Sequence, residues 1–355
     1  MSKFSRRDFV RAGLMAGAAT SLVPHSLCSV AAAQSAQTAK PSPYSYVDPE
    51  LVPALEKFPT IAYSTEVLAK ARQSKPWPAL PAPAPQPYDR HIPGPTDNRD
   101  LRVVIVDPAP GSKDRPAFLH IHGGGYIGGT ADEFPAFLQT VATSCNCLVV
   151  SVAYRLAPET RFPGSLEDNY AALRWIHTNA DELGVDRRRI AIGGASAGGG
   201  HSAMLAIAAR DRKELPIVFQ LLIYPMLDDR TGSTRSVPPY IGHFIWNATS
   251  NRFGWTSLLG VPAGSISVPA GSVPARVDNL AGLPPAFIGV GSIDLFVDED
   301  IEYAHRLINA GVPTDLLVLP GAYHGFDILV PDAAVSKQFE QAWKMALNRA
   351  YKRAS

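Results

Sequence analysis

From Leu101 to the C-terminus, short apolar β-branched runs alternate with longer stretches of helical period, and this alternation constrains the fold more than any other feature of the chain. The runs are Leu101 to Val106, Ala117 to Ile121, Leu148 to Ala153, Ile190 to Gly193, Val218 to Tyr224, Ala286 to Val290 and Leu316 to Leu319. Helices are expected between them, near 133–144, 165–179, 197–210, 299–310 and 333–350. Strands apolar on both faces must be covered on both faces, so the pattern predicts an α/β fold with a mostly parallel central sheet and helices on each side. With 355 residues, 46% hydrophobic and 18% charged, the chain can bury such a core, and disorder, collagen and coiled coil are excluded.

The alternation fails in two places. After Tyr224-Pro225 no strand is expected until Ala286, and the interval carries Phe244, Trp246, Phe253 and Trp255 among many Pro and Gly residues. A structureless loop of that length is uncommon in a compact domain, so the segment at about 229–283 reads as an inserted helical cap with its own apolar side. Before Asp100 strand signals are few. Glu66 to Gln73 suits a short helix, and Pro76, Pro78, Pro81, Pro83, Pro85, Pro87, Pro93 and Pro95 then predict an extended surface connector without regular helix or sheet. Residues 34–100 therefore read as an N-terminal cap segment and connector, and 101–355 as the main domain.

Residues 1–33 read as an address. Ser5-Arg6-Arg7-Asp8-Phe9-Val10 is a twin-arginine pattern, followed by a weakly apolar run from Ala12 to Val23 and small residues at Ala31-Ala32-Ala33. That run falls short of the roughly 20 residues a spanning helix needs. A Tat signal peptide cleaved after Ala33 and a periplasmic or secreted product without stable membrane insertion are expected; Cys28, behind His25-Ser26-Leu27, is a poor lipidation site. The whole chain carries a formal charge of +1, and a chain starting at Gln34 carries −2, so nothing points to nucleic acid. Cys145 and Cys147 are too close in sequence for an unstrained bridge and too few for a closed zinc site, which leaves core thiols at a strand entry.

The chemistry falls at strand ends. Gly194-Ala195-Ser196-Ala197-Gly198 follows the run ending at Gly193 and opens a helix, the context of a nucleophile elbow. Small residues two positions either side of Ser196 permit a strained turn, and the helix N-terminus behind it favours a developing oxyanion. His122-Gly123-Gly124-Gly125-Tyr126 follows Ile121, and glycines there let backbone N–H groups approach a substrate oxygen. A serine needs a base and the base an orienting acid. Of nine histidines, His25 leaves with the leader, His91 lies in the connector, His120 and His122 lie on or beside the glycine-loop strand, and His243 is in the cap. His177, His201 and His305 fall in expected helices, where a solvated or satisfied role is the default. His324 remains, just after the last strand, and Asp294 follows the preceding strand in the same way. Asp298 and Glu299 are rival acids, but their place at the start of a helix suits capping.

His122 to Gly125, Tyr154-Arg155-Leu156-Ala157-Pro158-Glu159, the motif around Ser196, Asp294 with Asp298-Glu299, and His324-Gly325-Phe326 together resemble the hormone-sensitive-lipase family of α/β-hydrolases, the bacterial family IV esterases, over roughly residues 100–350. The resemblance implies a sheet of about eight strands, a cap built from the N-terminal segment and the 229–283 insertion, and hydrolysis of short-chain or aromatic carboxylic esters through an acyl-enzyme. It implies Ser196 as nucleophile, His324 as base, Asp294 as its partner, the N–H groups of Gly124, Gly125 and Ala197 as the oxyanion hole, and His122 with Gly123 as support of the loop. No metal or organic cofactor is called for. Two positions depart from the family: Ala195 stands where Asp or Thr is more usual, and Leu295-Phe296 follow the acid where Pro-Leu is more usual. Neither touches a reacting atom.

Phe244, Trp246, Phe253 and Trp255, with Tyr126, either line a substrate pocket or form the cap's own core. An amidase would use the same triad, and a catalytically silent binder on this scaffold would lack the histidine that His324 supplies. Phe339, Trp343 and Leu347, at four-residue spacing in the last helix, are expected to pack on the sheet, with a homodimer contact as the alternative.

Overall fold

The computed structural model describes residues 42–73, 85–95 and 99–354. The expected signal peptide, Cys28 and the prolines from Pro76 to Pro83 lie outside the described residues. The strands are β1 (Tyr88–Pro93), β2 (Asp100–Val106), β3 (Arg115–Ile121), β4 (Leu148–Val152), β5 (Val185–Ala195), β6 (Phe219–Ile223), β7 (Ala286–Gly291) and β8 (Thr314–Leu319). The α-helical segments are α1 (Val52–Leu55), α2 (Thr65–Ala71), α3 (Pro135–Cys145), α4 (Gly164–Thr178), α5 (Ala180–Leu183), α6 (Ala197–Arg212), α7 (Ala248–Leu259), α8 (Val297–Asn309), α9 (Phe326–Leu329) and α10 (Ala334–Arg353).

One eight-stranded sheet runs in the order β1-β2-β4-β3-β5-β6-β7-β8. Strand β2 is antiparallel to both its neighbours, and every pair from β4 to β8 is parallel. Every residue of β3, β4, β6 and β7 is buried, which is why their sequences are predominantly apolar rather than alternating, with Arg115, His120, Ser151 and Gln220 as buried polar exceptions. Successive side chains still point to opposite layers. Leu119 packs with α4 and α6, whereas Phe118 packs with α3 and α10. Phe339, Trp343 and Leu347 of α10 are buried in that second layer, so they pack on the sheet. At the β8 edge, Leu316 and Val318 remain 39% and 37% exposed.

Two expectations need correction. The proline-rich connector contains a strand: the proline-free stretch Tyr88 to Ile92 pairs with β2 from Ile105 to Leu101, and Pro93 closes the edge where a missing N–H costs no ladder bond. His91 therefore lies on an edge strand. The inserted segment has its apolar side but builds no core of its own, because Trp246, Trp255, Leu258, Leu259, Val273, Leu280 and Leu283 join the same core as α4 and α6. Its regular structure is one α-helix, α7, and a short 3-10 turn at Pro274–Arg276. The expected helix at Glu66 to Gln73 forms as α2, capped by Ser64, whose hydroxyl accepts from Val67 N–H.

Helix α2 is fastened to the sheet's edge by Arg72, which donates to the carbonyls of Ile127 (2.9 Å) and Ala157 (2.7 Å) and pairs with Glu159 (2.7 Å). The Tyr154 to Glu159 segment is itself fixed by Arg155 and the buried Asp168, 2.8 Å apart, with Asp168 also accepting from Arg155 N–H at 2.9 Å. Removing the carboxylate strands a partly buried guanidinium and a backbone donor. Asp168→Ala is expected to lower stability by about 2 to 3 kcal/mol, read as a shift in the urea unfolding midpoint, with Asp168→Asn losing less.

Candidate active site

The parallel strands deliver the chemistry to one edge, since Gly123 follows β3, Ser196 follows β5, Asp294 follows β7 and His324 follows β8. Ser196 sits at φ 58°, ψ −124°, a conformation that L residues avoid, between strand and helix. The flanking glycines explain how that turn fits. A Cβ at Gly194 or at Gly198 would stand 2.0 Å from the carbonyl oxygen of Ile121, so any side chain at either position would drive β3 and the turn apart. The turn is held by Ser196 N–H donating to Ile223 (2.9 Å) and by Ser196 C=O accepting from Met226 N–H (3.0 Å).

Ser196, His324 and Asp294 meet as a chain of hydrogen bonds. The imidazole Nε2 of His324 lies 2.9 Å from Ser196 Oγ, and its Nδ1 lies 2.8 Å from Asp294 Oδ2. The Asp294 carboxylate only accepts, so Nδ1 carries the proton and Nε2 is left to accept from the serine hydroxyl. Asp294 is fully buried, and its Oδ1 accepts Phe296 N–H at 3.0 Å, which fixes the carboxylate plane. The His324 ring is clamped edge-on by Tyr224 (4.8 Å) and Phe296 (5.2 Å). The rival acids go elsewhere: Asp298 is exposed at the start of α8, whereas Glu299 is buried and accepts the N–H of Leu227 (2.6 Å) and of Asp228 (3.1 Å). Glu299 is thus no solvent-side cap.

The glycine loop lies against this turn, since a Cβ at Gly123 would be 3.5 Å from Ser196 Cβ. Gly124 and Gly125 have φ of 106° and 61°, and among the described residues no hydrogen bond uses their N–H groups. Ala197 is the first residue of α6, ahead of any intrahelical acceptor for its N–H. These donors have the placement to bind an oxyanion. His122 braces the loop: its Nδ1 donates to Gly123 O at 2.8 Å, its ring stacks on Tyr154 at 4.1 Å, and Tyr154 O–H donates to its carbonyl at 2.9 Å. Burial pushes the His122 imidazole down to about 4, so it stays neutral. His120, bonded to Ser151 Oγ at 2.8 Å, is pushed to about 3 in the same way. His177 is satisfied by Pro216 O at 3.0 Å, whereas His201 is fully buried and neither of its ring nitrogens has a hydrogen-bond partner among the described residues.

The aromatic candidates separate. Tyr126 and Trp255 are fully buried with rings 4.9 Å apart and are packing, not pocket lining. Phe253 is partly buried on the same core. Trp246 covers Gly125 so closely that a Cβ there would stand 2.2 Å from its ring. Phe244, 6.1 Å from Tyr323 beside the histidine, lines a cavity of about 530 Å³ with Tyr44, Leu55, Phe58, Thr60 and His243; neither Ser196 nor His324 lines it. Tyr154, Glu299 and the Met226 segment were missed as site supports, because their roles run through backbone groups of distant segments.

Tyr224 O–H donates to Asp327 at 2.9 Å, and burial raises the Asp327 carboxyl from 3.8 to about 6. A carboxyl raised in the folded state binds its proton more tightly there, so its contribution is present below pH 4 and is lost as pH rises through 6. Relative to wild type, Asp327→Asn is expected to gain on the order of 1 kcal/mol between pH 4 and pH 7, read from paired urea unfolding curves.

A family model described as an alpha/beta hydrolase fold matches residues 118–328. Carboxylesterase NlhH of Mycobacterium tuberculosis is 38% identical over 304 residues, spanning 81% of this chain and 92% of that one. Esterase LipI of the same organism is 34% identical, spanning 79% and 88%. Among solved structures, a bacterial heroin esterase superposes with a TM-score of 0.77 at 34% identity over 87% of this chain and 99% of its own. Esterase LipW from Mycobacterium marinum superposes with 0.76 at 31% identity over 88% and 98%. With the eight-stranded sheet and the motifs inside the matched region, these likenesses make the chain a member of the α/β-hydrolase family, in its hormone-sensitive-lipase-like branch.

Proposed function

We propose that this protein is a serine carboxylesterase that hydrolyses short-chain or aromatic carboxylic esters through an acyl-enzyme on Ser196. The carrying observation is the His324 imidazole, one nitrogen 2.9 Å from the Ser196 hydroxyl and the other 2.8 Å from the Asp294 carboxylate. His324 takes the hydroxyl proton as Ser196 Oγ attacks the ester carbonyl carbon. The N–H groups of Gly124, Gly125 and Ala197 hold the resulting oxyanion, a donor of this kind being worth about 3 kcal/mol in the transition state. His324 then gives the proton to the departing alcohol, and a water molecule repeats the sequence on the acyl-enzyme. Family membership and relatives named esterases and carboxylesterases support an ester as the bond broken.

The twin-arginine pattern at Arg6-Arg7 supports export of the folded protein to the periplasm or beyond. Among the described residues no helix is long and apolar enough to cross a membrane. The half-exposed β8 edge supports pairing with a second copy, which sedimentation equilibrium reads directly as one chain mass or two.

The test is hydrolysis of p-nitrophenyl esters from acetate to palmitate by the wild type and Ser196→Ala. Wild-type activity is expected to peak at short chains, and the variant to lose several orders of magnitude in kcat with its circular dichroism unchanged. Wild-type-like turnover by Ser196→Ala would refute the assignment. Phe244→Ala enlarges a cavity that neither Ser196 nor His324 lines and is expected to leave the chain-length profile in the same series unchanged, whereas a shift toward longer acyl chains would join that cavity to the acyl pocket.

A further inference from the structure

Five residues after Asp294, helix α8 turns a carboxyl group inward. Glu299 is 1% exposed, and its Oε1 accepts the N–H groups of both Leu227 and Asp228. The residue just before them, Met226, faces the site with both of its peptide groups. Its N–H donates to the carbonyl of Ser196 at 3.0 Å, and its C=O accepts from Tyr126 O–H at 2.7 Å. Ser196 immediately precedes Ala197, and Tyr126 immediately follows Gly125. One short segment therefore ties together the two chain turns that carry the oxyanion donors.

The tie has little room to shift. A Cβ at Gly200 would stand 2.2 Å from both the Tyr126 hydroxyl and Met226 O, so α6 closes the segment from behind. Tyr126 itself has φ of 67°, an uncommon conformation for an aromatic residue, and is wedged between His201 (4.8 Å) and Trp255 (4.9 Å). The same segment reaches the glycine loop by a second route: Thr231 C=O accepts Asn251 Nδ2 at 2.8 Å, Asn251 Oδ1 accepts Trp246 Nε1 at 3.3 Å, and the Trp246 ring covers Gly125.

We propose that Tyr126 and Glu299 are positioning residues for the oxyanion hole, acting through the Met226 segment to hold the Gly124 and Gly125 donors in register with the Ala197 donor. Neither touches substrate. The inference rests on the ester-hydrolysis reading of Ser196, and it gives the turn from Asp294 to Glu299 two tasks, one acid orienting the histidine and the other setting the hole. Donors misplaced by a few tenths of an ångström lose transition-state stabilisation while ground-state binding is little changed.

The experiment measures kcat, KM and inhibition by phenylboronic acid, which forms a tetrahedral adduct, for wild type, Tyr126→Phe, Glu299→Gln, Glu299→Ala and Ser196→Ala. Tyr126→Phe deletes one hydroxyl and is expected to lower kcat about tenfold with KM within about twofold, and to weaken boronate inhibition by a similar factor. Glu299→Gln keeps an accepting oxygen and is expected to stay within about threefold of wild type, while Glu299→Ala falls at least as far as Tyr126→Phe. A Tyr126→Phe enzyme with unchanged kcat, or with lowered kcat and undiminished boronate affinity, overturns the proposal. Equal damage from Gln and Ala at 299 overturns the part assigned to Glu299. Should Glu299→Ala fail to fold, the Phe and Gln variants decide. Loss of turnover in Ser196→Ala beside an unaffected Tyr126→Phe removes this inference alone, whereas an active Ser196→Ala removes the ester-hydrolysis reading with it.

Discussion

The carbonyl oxygen of Ile121 lies 2.0 Å from where a Cβ would stand on either Gly194 or Gly198, and the site depends on that close approach. It lets the end of β3 press against the turn after β5, which brings the glycine loop over Ser196. It also keeps Ser196 in a conformation that an isolated peptide would leave at once. The strain is sustained by two hydrogen bonds to one later segment, from Ser196 N–H to Ile223 C=O and from Met226 N–H to Ser196 C=O. The surrounding sheet, buried on both faces through β3, β4, β6 and β7, supplies the rigidity that keeps these contacts in place.

Around this turn the polar groups are arranged to stay uncharged unless they are used. His120, His122 and His201 are each driven far below the ordinary histidine range by burial, so all three stay uncharged near neutral pH. His324 differs in having a carboxylate on one nitrogen and a hydroxyl on the other. The carboxyl groups divide in the same manner. Asp294 has a histidine partner, whereas burial raises Glu299 and Asp300 well above the usual carboxylate range.

Much of this was legible beforehand. The seven apolar runs from Leu101 onward became β2 to β8, because strands buried on both faces, as β3, β4, β6 and β7 are, leave a predominantly apolar signature. Ser196, Asp294 and His324 could be selected because each directly follows such a run, and strand ends in a parallel sheet converge on one edge. Strand β1 escaped notice because its edge position exposes most of its residues and the prolines around it mask a five-residue pairing. Whether the insertion's aromatics line a pocket or form the cap's own core was left open, because its tryptophans carry no record of which partner buries them. Glu299 looked like a helix cap because acids at a first helical turn usually face water, and its backbone partners at Leu227 and Asp228 lie 72 and 71 residues away.

The sequence by itself determined the fold class, the order of strands and helices along the chain and the candidates Ser196, Asp294 and His324 that the structure joins by hydrogen bonds, since periodicity and glycine placement are local properties that survive without tertiary contacts. Only the tertiary structure decided the sheet order, the burial of Tyr126 and Trp255, and the Met226 segment's position between Ser196 and Tyr126. Those features depend on backbone groups and on the fit of distant segments, and every residue type carries the same backbone N–H and C=O apart from proline's missing donor.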